Sequence, residues 1–325
     1  MKRSMAALIG FLVIAGLAPS VSATPPAEPG EQGRIIRRDD MGVMVPPAGV
    51  TATLELVMPH GGNRVLTVEH RRDGSVHTRY EGPDAETSTD PHDQSAEQLV
   101  TDTATTLSAC STEAYRFIPN LRVANDMWWL FNDDVMANGV TAAQVKGSLI
   151  NAGANITNAD NDCGMLDNIQ APIVSGTSDT SLRTNFYIRS DGYHDCGQMD
   201  TYNVFEFGQL KDALASMCMW TWDNGDLLSA DIRFGQGRNW FTTATPPCSN
   251  STTGTKYWDF EGIATHELGH VYGMQHNVAD SATREEKLYH SRATMNAMAR
   301  YDEARCNTGY RTLGKGDILG LEVLY

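Results

Sequence analysis

Between residues 265 and 277 the chain reads THELGHVYGMQHN, and the spacing within it suits the sharing of one metal ion. His266 and His270 are four residues apart. On a helix that spacing puts both imidazoles on one face, one turn apart. Glu267 follows the first histidine, so it can stand beside an ion without being a ligand, where a bound water would lie. Gly273 comes three residues after His270 and can end the helix in a left-handed conformation that a Cβ disfavours. The chain then turns back, and His276 can reach the same ion from outside the helix. Three neutral histidines leave the fourth position of a tetrahedral zinc site open, as a catalytic site requires. His266, His270 and His276 are therefore the expected ligands of one catalytic zinc, and Glu267 is the expected general base. A chance match of five fixed positions in a chain of this size is expected on the order of a few times in 10⁵, so the pattern is read as chemistry.

This segment resembles the long zinc signature of the metzincin metallopeptidases. The resemblance covers about residues 108–325, strongly at the zinc motif and weakly elsewhere, and is closer still to small secreted bacterial matrixin-like peptidases. It implies a metzincin-like catalytic domain and a methionine-containing turn beneath the metal. Met295, in Ala293-Thr294-Met295-Asn296, is the expected turn methionine, with Met298 as its rival. Residues 229–234 (SADIRF) are similar to the edge strand on which such enzymes lay an extended substrate, and residues 316–325 to the closing helix. There are departures. The PRCGxPD latency motif is missing, Asn277 stands where matrixins usually have Ser, and the run from His276 to Met295 is long. His194 and Asp195 are the only echo of a structural metal loop and are read as loop residues. Calcium is possible but not indicated. Asp as a third ligand, as in snapalysin-like enzymes, is disfavoured by His276. Tyr301 is read as packing rather than as an aid to the oxyanion. The implied activity is a zinc-dependent metalloendopeptidase that hydrolyses peptide bonds with water and binds its protein or peptide substrate in extended form. The alternatives are a secreted binding protein with a vestigial zinc site, or a zinc hydrolase of a non-peptide substrate.

The elements that must position these groups follow from patterning. Asp259 is a plausible cap of the zinc helix, and Glu261 lies in its first turn, where the helix dipole favours an acid. Residues 141–154 (TAAQVKGSLINAGA) have a Thr cap and apolar positions at Ala142, Val145, Leu149 and Ile150, the pattern of an amphipathic helix. Residues 315–324 form the closing C-terminal helix. Strands are expected over 117–123, 126–132, 184–188, 203–207, 217–222 and 228–234. Trp128, Trp129, Trp220 and Trp222 are read as core rather than as a sugar platform. Helices and strands mix without a βαβ repeat, so the fold class is α/β (α+β) with a twisted mixed β-sheet.

Upstream, residues 51–58, 64–70 and 75–80 alternate and are joined by turn chemistry, which predicts a small β-meander. Residues 24–48 carry many Pro, Gly and charged residues and read as an unstructured leader. Residues 81–95 read as a linker. The organisation is thus a signal peptide at 1–23, a propeptide or accessory region at 24–105, and a zinc metallopeptidase domain at 106–325. Lys2 and Arg3, the apolar run 6–18 (AALIGFLVIAGLA) and the small residues before Ala23 mark the signal peptide. The run is short for a bilayer span, so a secreted, extracellular monomer without a membrane anchor is expected. Residues 24–105 lack cysteine and end in a polar linker, which favours a propeptide and hence a zymogen. The six cysteines are read as three disulfides, with sequential pairing Cys110–Cys163, Cys196–Cys218 and Cys248–Cys306 as the guess. The formal net charge of −15 repels phosphate backbones and argues against nucleic-acid binding.

Overall fold

The alternation of residues 50–57 (VTATLELV) sends neighbouring side chains to opposite faces of a sheet, and in the computed structural model both faces of this strand are covered. The structure describes residues 33–58, 63–82, 108–118, 121–166, 169, 171, 174–243, 257–278, 293–296 and 310–325. The signal peptide, Cys248, Cys306, Met298 and Tyr301 lie outside these residues.

In chain order the elements are β1 (Ile35–Arg38), β2 (Met41–Met44), β3 (Val50–Val57), β4 (Arg64–His70), β5 (Val76–Glu81), β6 (Arg116–Phe117), β7 (Met127–Asn132) and α1 (Ala142–Thr157). They continue with β8 (Val174–Asp179), β9 (Phe186–Ile188), β10 (His194–Cys196), β11 (Val204–Gly208), β12 (Ala215–Trp222), β13 (Leu227–Gly235) and β14 (Asn239–Phe241). The last are β15 (Tyr257–Asp259), α2 (Phe260–Val271), β16 (Met274–Gln275) and α3 (Lys315–Leu324). This is the mixed α+β class expected.

An eight-stranded sheet of order β5-β4-β3-β12-β13-β11-β7-β8 forms the frame. Strands β8, β7, β11 and β13 are mutually parallel, and β12 runs antiparallel to β13. The meander β3-β4-β5 continues the sheet antiparallel beyond β12, so one sheet spans residues on both sides of residue 105. Two expectations fall here. Strand β13, which contains residues 229–234, is not an edge, because β12 covers one side and β11 the other. Part of the expected leader is ordered: β1 and β2 pair with each other, and β2 runs parallel to β10 in a four-stranded sheet. The pairing that orders them comes from a distant strand, which local composition does not announce.

The two faces of the large sheet carry separate cores. Met217, Met219, Ala230, Ile232 and Phe234 pack with the helices, whereas Ala52, Leu54, Leu56, Cys218 and Trp220 pack with the small sheet. Disulfide Cys196–Cys218 ties β10 to β12, and Cys110–Cys163 ties the segment before β6 to the turn after α1. Each closes a loop of the unfolded chain, a constraint typically contributing about 2–4 kcal/mol. Thr141 caps α1 in a capping box with Gln144, and Val145, Leu149, Ala152 and Ile156 face the core, while Ile150 is exposed. Trp129 and Trp220 are core as expected, but Trp128 and Trp222 are exposed: alternation in β7 turns Trp128 away from the face that Trp129 buries, and Trp222 is the last residue of β12. The strand expected over 117–123 is reduced to β6. Among the described residues no helix is long and apolar enough to cross a membrane.

Candidate metal centre

Helix α2 is fixed at its start by aromatic packing. Phe260 lies 4.6 Å from Phe234, 5.5 Å from Phe207 and 5.7 Å from Trp240, ring centre to ring centre. These rings root the helix on β11, β13 and β14, and burying one such ring stabilises by about 1.5–3 kcal/mol. Asp259 stands at the N-cap position, but its carboxylate is taken by Arg311, at 2.7–3.0 Å. Every residue from Phe260 to Val271 is buried, so the zinc-motif helix is an interior element.

One turn along this helix His266 and His270 converge. Their Nε2 atoms are 3.1 Å apart. His266 Nδ1 donates to the Thr294 carbonyl at 2.6 Å, and His270 Nδ1 donates to the Met274 carbonyl at 2.8 Å. A carbonyl oxygen only accepts, so each Nδ1 carries a hydrogen and each Nε2 faces inward, where a ring that gives up its second proton to an ion offers a lone pair. Two lone pairs at that separation repel unless a cation lies between them. Ligands on a tetrahedral ion at about 2.0–2.1 Å would sit about 3.3 Å apart, close to what is observed. Burial first, and then the neighbouring His270 and His276, press the His266 pKa down to about 3, which keeps that ring neutral.

His276 arrives as expected from beyond the helix. Gly273 adopts φ +93°, and a Cβ there would meet the Leu121 carbonyl oxygen at 3.0 Å. The Gly273 carbonyl accepts from Ile118 N–H at 2.8 Å, and β16 then pairs with β6. This short ladder aims His276 back, with its ring stacked 5.3 Å from that of His266.

Met295 is buried and packs on Gly269 of α2, where an added Cβ would collide with its sulfur. Its turn is pinned from α3. Asp317 accepts from the backbone N–H of Thr294 at 2.9 Å and of Met295 at 3.3 Å, and also from Gly314 at 2.9 Å. The Met295 carbonyl in turn accepts from Asn277 N–H at 2.7 Å. The closing helix therefore holds the carbonyl that orients His266.

One member of the cluster was not foreseen. Glu55 of β3 faces the same point, and its ligand atom, with those of the three histidines, lies within 4.8 Å of all the others. Its Oε2 is 3.1 Å from His270 Nε2 and its Oε1 is 2.9 Å from His276 Nε2. Burial alone would raise its pKa, but the imidazoles of His270 and His276 outweigh burial and hold the carboxyl well below the usual range. Asn63 Nδ2 sits 3.1 Å from His276 Nε2. In the sequence Glu55 falls in step with Thr51 and Thr53 along β3, so alternation alone reads it as part of a polar, solvent-facing stripe.

Glu267 is fully buried, and among the described residues neither of its carboxylate oxygens has a hydrogen-bond partner. Burial first, and then the nearby Glu55 charge, push its pKa well above the ordinary value, with His276 opposing. A buried carboxyl left so is expected to serve a group that the polypeptide does not supply. The donors fit a metal: three imidazoles and a carboxylate at one point can hold an ion, with Glu267 alongside. A cleft of about 340 Å³, lined by Thr53, Thr67, Arg79, Arg116, Met217 and Gln275, opens onto Glu55, His270 and His276.

The other metal echo resolves differently. His194 and Asp195 lie in strand β10 rather than a loop; His194 Nε2 is 2.7 Å from Ser216 Oγ, and Asp195 accepts from Arg37 at 2.7 Å. A scan against protein-family models finds no match to the chain, and a search of curated proteins finds no relative.

Proposed function

We propose that this chain is an exported zinc-dependent metalloendopeptidase of metzincin-like type, made as a zymogen. The observation that carries the reading is the pair of inward-facing Nε2 atoms on α2 with Glu267 between them in sequence. Imidazole donors and a small tetrahedral space favour zinc among common divalent ions. When bound there, zinc supplies Lewis acidity toward a peptide carbonyl and makes an attacking water more acidic.

The protein's own groups do the rest. His266, His270 and His276 are held by backbone carbonyls and short ladders, so no reorganisation is needed on binding. Glu267 takes a proton from the attacking water and returns it to the departing amine nitrogen. The Met295 turn keeps the helix and the Thr294 carbonyl in register. Export is supported by the signal-like first residues and by two disulfides, which persist in oxidising compartments.

A second reading has one observation in its favour. With Glu55 as fourth ligand the site would be closed, as in structural zinc sites, and the protein would bind rather than cut. Zinc content and casein hydrolysis of the secreted product, with and without chelator and with Glu267→Ala, separate the two. The peptidase reading expects zinc in both proteins, hydrolysis only in the first, and its loss on chelation. Zinc without hydrolysis in any processed form would favour the binding protein.

A further inference from the structure

We propose that strand β3 occupies the place of an extended substrate along β12, and that Glu55 closes the metal site as its fourth ligand, so that this form of the chain is latent. The inference rests on the peptidase reading and adds to it both the docking strand and the means of restraint.

Strand β12 is the antiparallel member at the border of the parallel set, and its outer edge borders the histidines. Strand β3 pairs along all of it, from Val57 opposite Ala215 to Val50 opposite Trp222. An extended peptide recognised by backbone hydrogen bonds needs an open strand edge, and this one is filled. The register sets Glu55 opposite Met217, on the face that carries the helices, as the alternation of β3 requires. Thr53 and Val57 share that face, while Leu54 and Leu56 turn to the other core. β3 thus presents to the metal what a bound substrate would present, with a carboxylate at the reacting position instead of a scissile bond.

Burying an acid in mid-strand is costly unless it is compensated. Glu55 is 1% exposed, and the groups facing its two oxygens are the ligand nitrogens of His270 and His276. A catalytic metal site keeps one position open, whereas four protein ligands close it. Asn63 beside His276, bonded through its Oδ1 to Met58 N–H at 3.0 Å, ties the residue after β3 to the residue before β4 at the same place.

The test uses the full secreted chain loaded with cobalt, read by its visible absorption, with azide as probe. The wild-type spectrum should stay unmoved by azide, and Glu55→Ala should bind it at least about tenfold more tightly, since a competent fraction of a tenth or less raises the apparent Kd by that factor. Glu55→Gln, closer in shape, guards against loss of fold and should also admit azide. Casein cleavage should appear only in species that have lost residues 50–57, as read by intact mass. Equal azide affinity in wild type and both variants would overturn the ligand role. Cleavage by a species that retains 50–81 would overturn the latch and leave the peptidase standing. If azide separates the variants but no processed species cleaves peptide, the peptidase reading fails and the ligand role of Glu55 survives.

Discussion

The two halves of the candidate metal centre are built differently. The helical half, from α2 to His276, places its ligands by local geometry: one helical turn, one left-handed glycine and one short ladder. The strand half, Glu55 and Asn63, is delivered by sheet register from far upstream, Asn63 lying 213 residues before its partner His276. The first half depends largely on contacts close in sequence. The second depends on the β-ladder between β3 and β12. Under the proposed function the first half carries the chemistry and the second the restraint.

Four measurements would break or sharpen this contrast. The largest effect is expected at Glu267: Glu267→Gln should lower casein hydrolysis by the processed enzyme by about 10²–10⁴-fold while zinc stays bound. Activity near wild type would remove the base from the helical half. Next comes metal affinity. His266→Ala should weaken zinc binding by more than about 100-fold, and Glu55→Ala by about tenfold or less, because three ligands remain in the second case. Competition against a chelator of known affinity reads both, and equal losses would erase the distinction between the halves.

Packing gives a smaller effect. Gly269→Ala places a methyl group against the Met295 sulfur and should cost about 1–3 kcal/mol of stability in urea unfolding. No change would mean that the methionine turn does not brace the helix. The smallest effect tests the strand side of the sheet through pH. Burial first, and then Arg233, depress the His194 pKa to about 3 from an ordinary 6.5. The folded chain therefore binds this proton less readily than the unfolded one. The stabilising contribution is complete above pH 6.5 and is lost as pH falls toward 3. Between pH 7 and pH 5 the loss from this group is about 2 kcal/mol, and His194→Gln should flatten that part of the urea-midpoint profile. An unchanged slope would show that another group carries it.

The elements legible in advance were those whose information is local. Helix α1 carries its own cap and apolar stripe, α3 spans the expected residues 315–324, and the meander announces itself by alternation and turns. Strands β1 and β2 look like leader in sequence because they are four residues each and are joined through β2 to β10, which no pattern near residue 40 can reveal. Strand β13 looks like an edge in sequence because its alternation is the same whether one side or both are paired. The cysteine pairs Cys110–Cys163 and Cys196–Cys218 matched simple sequential order, while Cys248–Cys306 falls outside the described residues.

The convergence of His266, His270 and His276 was legible from sequence alone, because helix periodicity and one glycine convert spacing directly into direction. It could not determine that Glu55 joins them. That contact depends on which strand lies beside β12 and in what register, and a slip of one residue would turn Glu55 to the opposite face. Register is settled by the burial of two cores at once, an energy that exists only when the whole sheet has formed.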